Sequence, residues 1–80
     1  MNKIWSDEAW EDYLYWHMQD RKTLKRVNQL AKDIESNGNS GIGKPEPLKY
    51  QLRECWSRRI DAINRLVYFI GDGQITILQC

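Results

Sequence analysis

ECWSRRIDAINRLVYFIGDGQITILQ, residues 54–79, decides the fold. From Glu54 the side chains alternate, with Trp56, Arg58 and Ile60 on one face and Cys55, Ser57 and Arg59 on the other, the period of a strand. Asp61 to Asn64 turns the chain, Arg65 to Ile70 supplies a second strand, and Gly71-Asp72-Gly73-Gln74 reads as a hairpin turn. Ile75 to Gln79 makes a third. Its Ile75, Thr76, Ile77 and Leu78 alternate little, as expected of a central strand covered on both faces.

N-terminal to this stretch the period changes. Asn2 to Trp5 is short and apolar enough for an edge strand, and Ser6 can cap a helix beginning at Asp7. Asp7 and Glu8 suit the positive end of that helix. Trp10, Tyr13, Leu14 and His17 follow the spacing of one buried face, whereas Tyr15 and Trp16 fall off it and read as rings covering a small core. Asp20 can cap a second helix from Arg21 to about Ser36, with Leu24, Val27, Ala31 and Ile34 as its apolar stripe. Its other face carries Lys22, Lys25, Arg26, Gln29 and Lys32, a solvated charged face that could also lie on phosphates. Asn37-Gly38 ends the helix by allowing a left-handed residue. The order β-α-α-β-β-β predicts an α+β domain over residues 1–80, an antiparallel sheet with a two-helix hairpin packed on one face.

Between the halves lies NGNSGIGKPEP, residues 37–47, a surface loop by composition. Its glycine half is expected to be mobile. Its proline half is stiff: Pro45 and Pro47 fix their own φ angles and push Lys44 and Glu46 away from helical conformations. Leu48 to Leu52 then returns the chain toward the core. The Gly41-Ile42-Gly43-Lys44-Pro45 run is no phosphate-binding P-loop, having neither the spacing nor the hydroxyl.

Charge is unevenly distributed. The 80 residues sum to +1, yet residues 1–20 carry one base against five acids and residues 21–36 five bases against two acids. Residues 44–70 carry six bases (Lys44, Lys49, Arg53, Arg58, Arg59 and Arg65) against three acids, Glu46, Glu54 and Asp61. A cationic surface around one stiffly held acid, Glu46, points to a polyanion or an acidic partner.

Composition narrows the class further. Four Trp, four Tyr and one Phe help a short chain build a core, each ring removing roughly 150–250 Å² from water. No run of about 18 apolar residues is present, so no membrane span is expected. The N-terminus shows no basic region followed by an apolar core, which makes the cytoplasm the expected compartment and Cys55 and Cys80 reduced thiols. Two Cys and the single His17 have neither CxxC nor HxxxH spacing, and no metal or other cofactor is expected.

IWS followed by acidic residues and DYLYW, then GKPEPLK, then WSRRI and RLVY stand at intervals that resemble the YoeB toxins of bacterial toxin–antitoxin systems, within the RelE-like superfamily. The resemblance runs over essentially the whole chain. It implies a metal-independent, ribosome-dependent endoribonuclease that cuts mRNA in the A site and inhibits translation. It also implies neutralisation by a YefM-like antitoxin, contact with operator DNA only through that antitoxin, and a possible homodimer. By position, the general base falls on Glu46 and the cation that stabilises the phosphate on Arg65. Lys44, Lys49, Arg58 and Arg59 are then expected to position RNA. Family members continue into a tail ending in His-Tyr, whose histidine is the general acid. The sequence here stops at Cys80, and His17 does not match. Weak or absent cleavage with retained fold is therefore expected of these 80 residues, and the alternative reading is an impaired or truncated toxin serving as an antitoxin-binding module.

Overall fold

The computed structural model describes residues 1–49 and 54–80. Its elements are β1 (Asn2–Trp5), α1 (Asp7–Gln19), α2 (Arg21–Asn37), β2 (Glu46–Pro47), β3 (Trp56–Arg59), β4 (Arg65–Gly71) and β5 (Gln74–Gln79). The five strands form one sheet in the order β1-β5-β4-β3-β2, and both helices pack on one of its faces. This is the expected α+β arrangement, with two differences in the sheet. First, β1 runs parallel to β5, Trp5 lying opposite Ile77, while the other neighbours are antiparallel. No tight turn joins β1 to β5, so hairpin geometry does not set their relative direction. Ser6 secures the pairing, its N–H donating to Ile77 O at 2.9 Å and its hydroxyl to Leu78 O at 3.0 Å. Second, Glu46–Pro47 forms a two-residue edge strand on β3 where the sequence reads as loop. Proline is tolerated there because an edge strand leaves one side unpaired.

The hairpin strands fall where the sequence places them. Ile75 and Ile77 of β5 are buried, however, while Thr76 and Leu78 are half-buried, so the helices cover one face of this strand and not both as expected. Asp72 and Gly73 have φ of 53° and 72°, the left-handed pair that a two-residue turn between twisted strands requires. Asp61 Oδ1 accepts from the N–H groups of Ile63 and Asn64 at 2.8 and 2.7 Å, turning β3 into β4 by a side-chain mimic of a backbone bond. β5 is interior, flanked by β1 and β4, while β4 holds the middle of the sheet. The return of the chain over residues 50–52 lies outside the described residues.

One residue, Asp20, both ends α1 and starts α2. Its N–H donates to Trp16 O at 2.9 Å, and its Oδ1 accepts from the N–H groups of Lys22 and Thr23 at 3.1 and 3.2 Å. Tyr13 then donates from its hydroxyl to Asn28 Oδ1 at 3.0 Å, joining the two helices. On α2 the buried stripe is Val27, Leu30, Ala31 and Ile34, close to the expected one. The α1 stripe is rotated by about one residue. Ala9 is fully buried and Tyr13 and Trp16 pack against the core, whereas Trp10 and Leu14 are 46% and 38% exposed and His17 is exposed. Ala9 is small enough to bring the helix close to the sheet, and Trp16 Nε1 donates to Cys80 O at 2.9 Å. Trp10 instead stacks on the outer side of Tyr13 at 5.5 Å, so its ring extends the core outward. Tyr15 meets Trp16 edge-on and stays 58% exposed.

Ala9, the α2 stripe, Ile60, Leu66, Tyr68, Ile75, Ile77 and Cys80 make the core. Into its edge projects Arg58, fully buried. Nη1 pairs with the Asp33 carboxylate and donates to Ile42 O at 3.1 Å. Nη2 donates to Gly38 O and Ser40 O, both at 2.6 Å, and Nε to the Tyr68 hydroxyl at 3.3 Å. Burying a guanidinium is tolerable only with this degree of compensation.

The bond from Arg58 holds the Asp33 carboxyl below the usual carboxylate range, with help from the Ile42 N–H and the Asn37 amide. A carboxyl depressed in the folded state contributes stability above its unfolded pKa of about 3.9, and that contribution is lost as pH falls below it. Asp33→Asn should therefore be less stable than the parent at pH 7, with the gap narrowing between pH 4 and pH 2 in urea unfolding. Arg58→Met should cost about 3–5 kcal/mol at pH 7, because it strands a carboxylate and three carbonyls.

Candidate active site

Period-2 alternation divides the sheet's side chains between its faces. Leu66 and Tyr68 of β4 point to the helices, so Arg65, Val67 and Phe69 point to the open face. On β3 the residue opposite Arg65 is Arg59, and opposite Val67 is Ser57. On β2 the residue opposite Ser57 is Glu46. Glu46, Ser57, Arg59 and Arg65 therefore share the face that the helices leave open, at the β2–β3–β4 end of the sheet.

There Arg65 Nη1 donates to Glu46 Oε1 at 2.9 Å. The two side chains are 39% and 55% exposed, and an exposed pair of this kind contributes about 0–1 kcal/mol. It is thus an association that an incoming anion can replace at little cost. A guanidinium offers two parallel N–H groups to a phosphate, and the released carboxylate becomes an acceptor for a proton. Glu46 is held in an extended edge strand, as the proline-bracketed sequence predicts. Lys44 departs from that expectation with φ of 50°, a left-handed turn just ahead of Pro45.

The other expected cations separate. Arg59, Lys44 and Lys49 are exposed, and Arg59 stands beside Arg65 in the register. Arg58 is the correction. It faces the helices, and its five N–H donors are all taken by Asp33, Ile42, Gly38, Ser40 and Tyr68. No donor is left for an RNA phosphate. The alternation that places Arg58 with Trp56 and Ile60 carried this signal, as did Asp33 lying between Leu30 and Ile34 on the buried side of α2.

Two features were not expected from sequence. Ser57 is fully buried beneath this face, and its Oγ has no hydrogen-bond partner among the described residues. Beside Arg65, an open cleft of about 540 Å³ runs between α1 and the β3–β4 turn, lined among others by Asp12, Tyr15, Asn64 and Gln79. Its floor includes Cys80, whose N–H donates to Asp12 Oδ2 at 3.2 Å. Burial, followed by the Asp12 charge, pushes the Cys80 thiol up to about 12. It stays protonated at neutral pH and is unsuited to nucleophilic work.

Comparison with known proteins places this geometry in a family. Residues 5–80 match the model of the YoeB-like toxin of bacterial type II toxin–antitoxin systems. Toxin YoeB of Escherichia coli K12 is 48% identical over 80 residues, covering 100% of this chain and 95% of that protein. The YoeB dimer from Staphylococcus aureus superposes with a TM-score of 0.95 at 46% identity, covering 100% of this chain and 93% of that one. The heterotetrameric YoeB–YefM complex from the same organism gives a TM-score of 0.92 at 46% identity, with the same coverage. The chain belongs to the YoeB-like toxin family of bacterial type II toxin–antitoxin systems.

Proposed function

We propose that this toxin is a metal-independent endoribonuclease that cuts mRNA in the ribosomal A site and so inhibits translation in the cytoplasm. The observation that carries the reading is the exposed Glu46–Arg65 pair, a base and a phosphate-binding cation already within bonding distance of each other. RNA can be cleaved by taking the proton from a 2′-hydroxyl, letting that oxygen attack the neighbouring phosphorus, and releasing the 5′-oxygen with a proton. In this scheme the phosphate takes over Arg65, and freed Glu46 accepts the 2′-hydroxyl proton. Arg65 then opposes the charge that grows on the non-bridging oxygens. A carboxylate, with an ordinary pKa of about 4.3, is a weak base. Dependence on the ribosome offsets that weakness if the ribosome holds the message in line, since orientation can contribute about 7–11 kcal/mol. The resemblance assigns the proton for the 5′-oxygen to a histidine of the family's terminal tail.

Lys44, Lys49 and Arg59 are proposed to hold RNA by phosphate contacts that carry no sequence information. The same cationic face suits an acidic segment of a YefM-like antitoxin, which would neutralise the toxin by covering Glu46 and Arg65. Operator DNA would be reached only through that antitoxin. The exposed rings of α1 leave a surface that a second copy could cover in a homodimer, as the relative from Staphylococcus aureus forms one.

In the protein as its gene encodes it, Glu46→Gln should lower A-site cleavage at least about 100-fold in a translating extract, read by mapping 5′ ends on a stalled message. Undiminished cutting would remove Glu46 from the role of base. Arg65→Ala should reduce the single-turnover rate by about 10²- to 10³-fold at saturating ribosomes. Arg59→Ala should mainly weaken binding and reduce the slope of log affinity against log salt by about 0.7.

A further inference from the structure

We propose that Arg58 is a positioning residue, which acts on RNA cleavage by fixing where the Glu46 carboxylate stands. The inference rests on the reading of Glu46 as the base. Arg58 binds the loop before Glu46 at three alternate carbonyls, Gly38, Ser40 and Ile42, so that the backbone wraps the guanidinium as it would wrap a bound cation. Asp33 closes the ring from α2, pairing with Arg58 and accepting from the Ile42 N–H at 3.1 Å.

At Gly41 and Gly43 the loop passes so close to its neighbours that a side chain would require them to shift. A Cβ on Gly41 would come within 2.0 Å of Asp33 Oδ2, and one on Gly43 within 2.8 Å of Leu30 Cδ2. Beyond Ile42 little freedom remains before the base. Gly43 O accepts from Arg59 N at 2.7 Å, Pro45 and Pro47 fix their φ angles, and Glu46 joins β3 opposite Ser57. Any displacement of the loop at Arg58 therefore passes to Glu46 through few free torsions, and a misplacement of about 1 Å can cost about 10² in rate. Lysine cannot substitute, because an ammonium has three donors at one point and no fork.

The test uses the full-length protein purified from its antitoxin complex and assayed well below its unfolding temperature. Arg58→Lys should lower kcat on programmed ribosomes about 10²-fold, with KM within about twofold of the parent and the salt dependence of KM unchanged. In a Glu46→Gln background, Arg58→Lys should change the residual rate by less than about twofold, because both changes disable one step. An independent, multiplicative loss overturns the inference, as does a raised KM with a shallower salt slope, the signature of a direct phosphate contact. If Arg58→Lys does not fold, Asp33→Asn carries the same cycle, with a drop in kcat of about 3- to 10-fold expected and an unchanged kcat decisive against. The two failures are distinguishable: Glu46→Gln at full rate defeats the base assignment, whereas an inactive Glu46→Gln beside a fully active, folded Arg58→Lys defeats the positioning role alone.

Discussion

A single buried guanidinium holds the β2–β3 end of this molecule together. Arg58 leaves water completely, and the desolvation penalty for a charge of that size is several kcal/mol unless every donor is met. The molecule meets it with one carboxylate from α2, one phenol from β4 and three backbone carbonyls from the loop ahead of β2. Those partners come from three separate parts of the chain. Satisfying one side chain therefore joins helix, sheet and loop, and it turns a glycine-rich connection that composition marks as mobile into a bonded support for the strand carrying Glu46.

Neighbouring arginines face opposite sides of the sheet for a geometric reason. Along β3 successive side chains point to opposite faces, so Arg58 enters the core edge while Arg59 stands on the open face beside Arg65. Two guanidiniums side by side repel, and the nearby Glu46 carboxylate offsets part of that repulsion by pairing with Arg65 at 2.9 Å. In solvent such a pair is weakly bound. An RNA phosphate or an acidic antitoxin segment would relieve the same excess of positive charge more fully, which connects the electrostatics of the face bearing Arg59 and Arg65 to both proposed partners.

The sheet is anchored at its other end by Ser6 and Trp16. The Ser6 hydroxyl donates to Leu78 O and accepts from Ala9 N at 3.0 Å, so one residue ends the first strand, starts the first helix and fixes the parallel pairing with β5. Trp16 reaches from α1 to the carbonyl of Cys80. These contacts set the height of α1 above the sheet, and Trp16 and Cys80 also line the cleft beside Arg65.

Local sequence determined much of the fold. Ser6 and Asp20 as helix caps, the turn at Asp72-Gly73, the α2 stripe and the strands at Trp56, Arg65 and Gln74 all follow from short-range rules that tertiary packing did not override. The extended setting of Glu46 was also legible, because two prolines restrict the backbone whatever surrounds it. Only tertiary structure decided the rest. The parallel direction of β1 depends on Ser6 meeting a strand more than 70 residues away. The rotation of the α1 stripe depends on Ala9 rather than Trp10 fitting against the sheet, a question of volume that hydrophobic spacing does not address. The fate of Arg58 depends on Asp33, Gly38, Ser40 and Ile42 converging on it. A charge looks the same in sequence whether it faces solvent or a ring of carbonyls, and only the folded chain supplies the desolvation and the partners that tell the two apart.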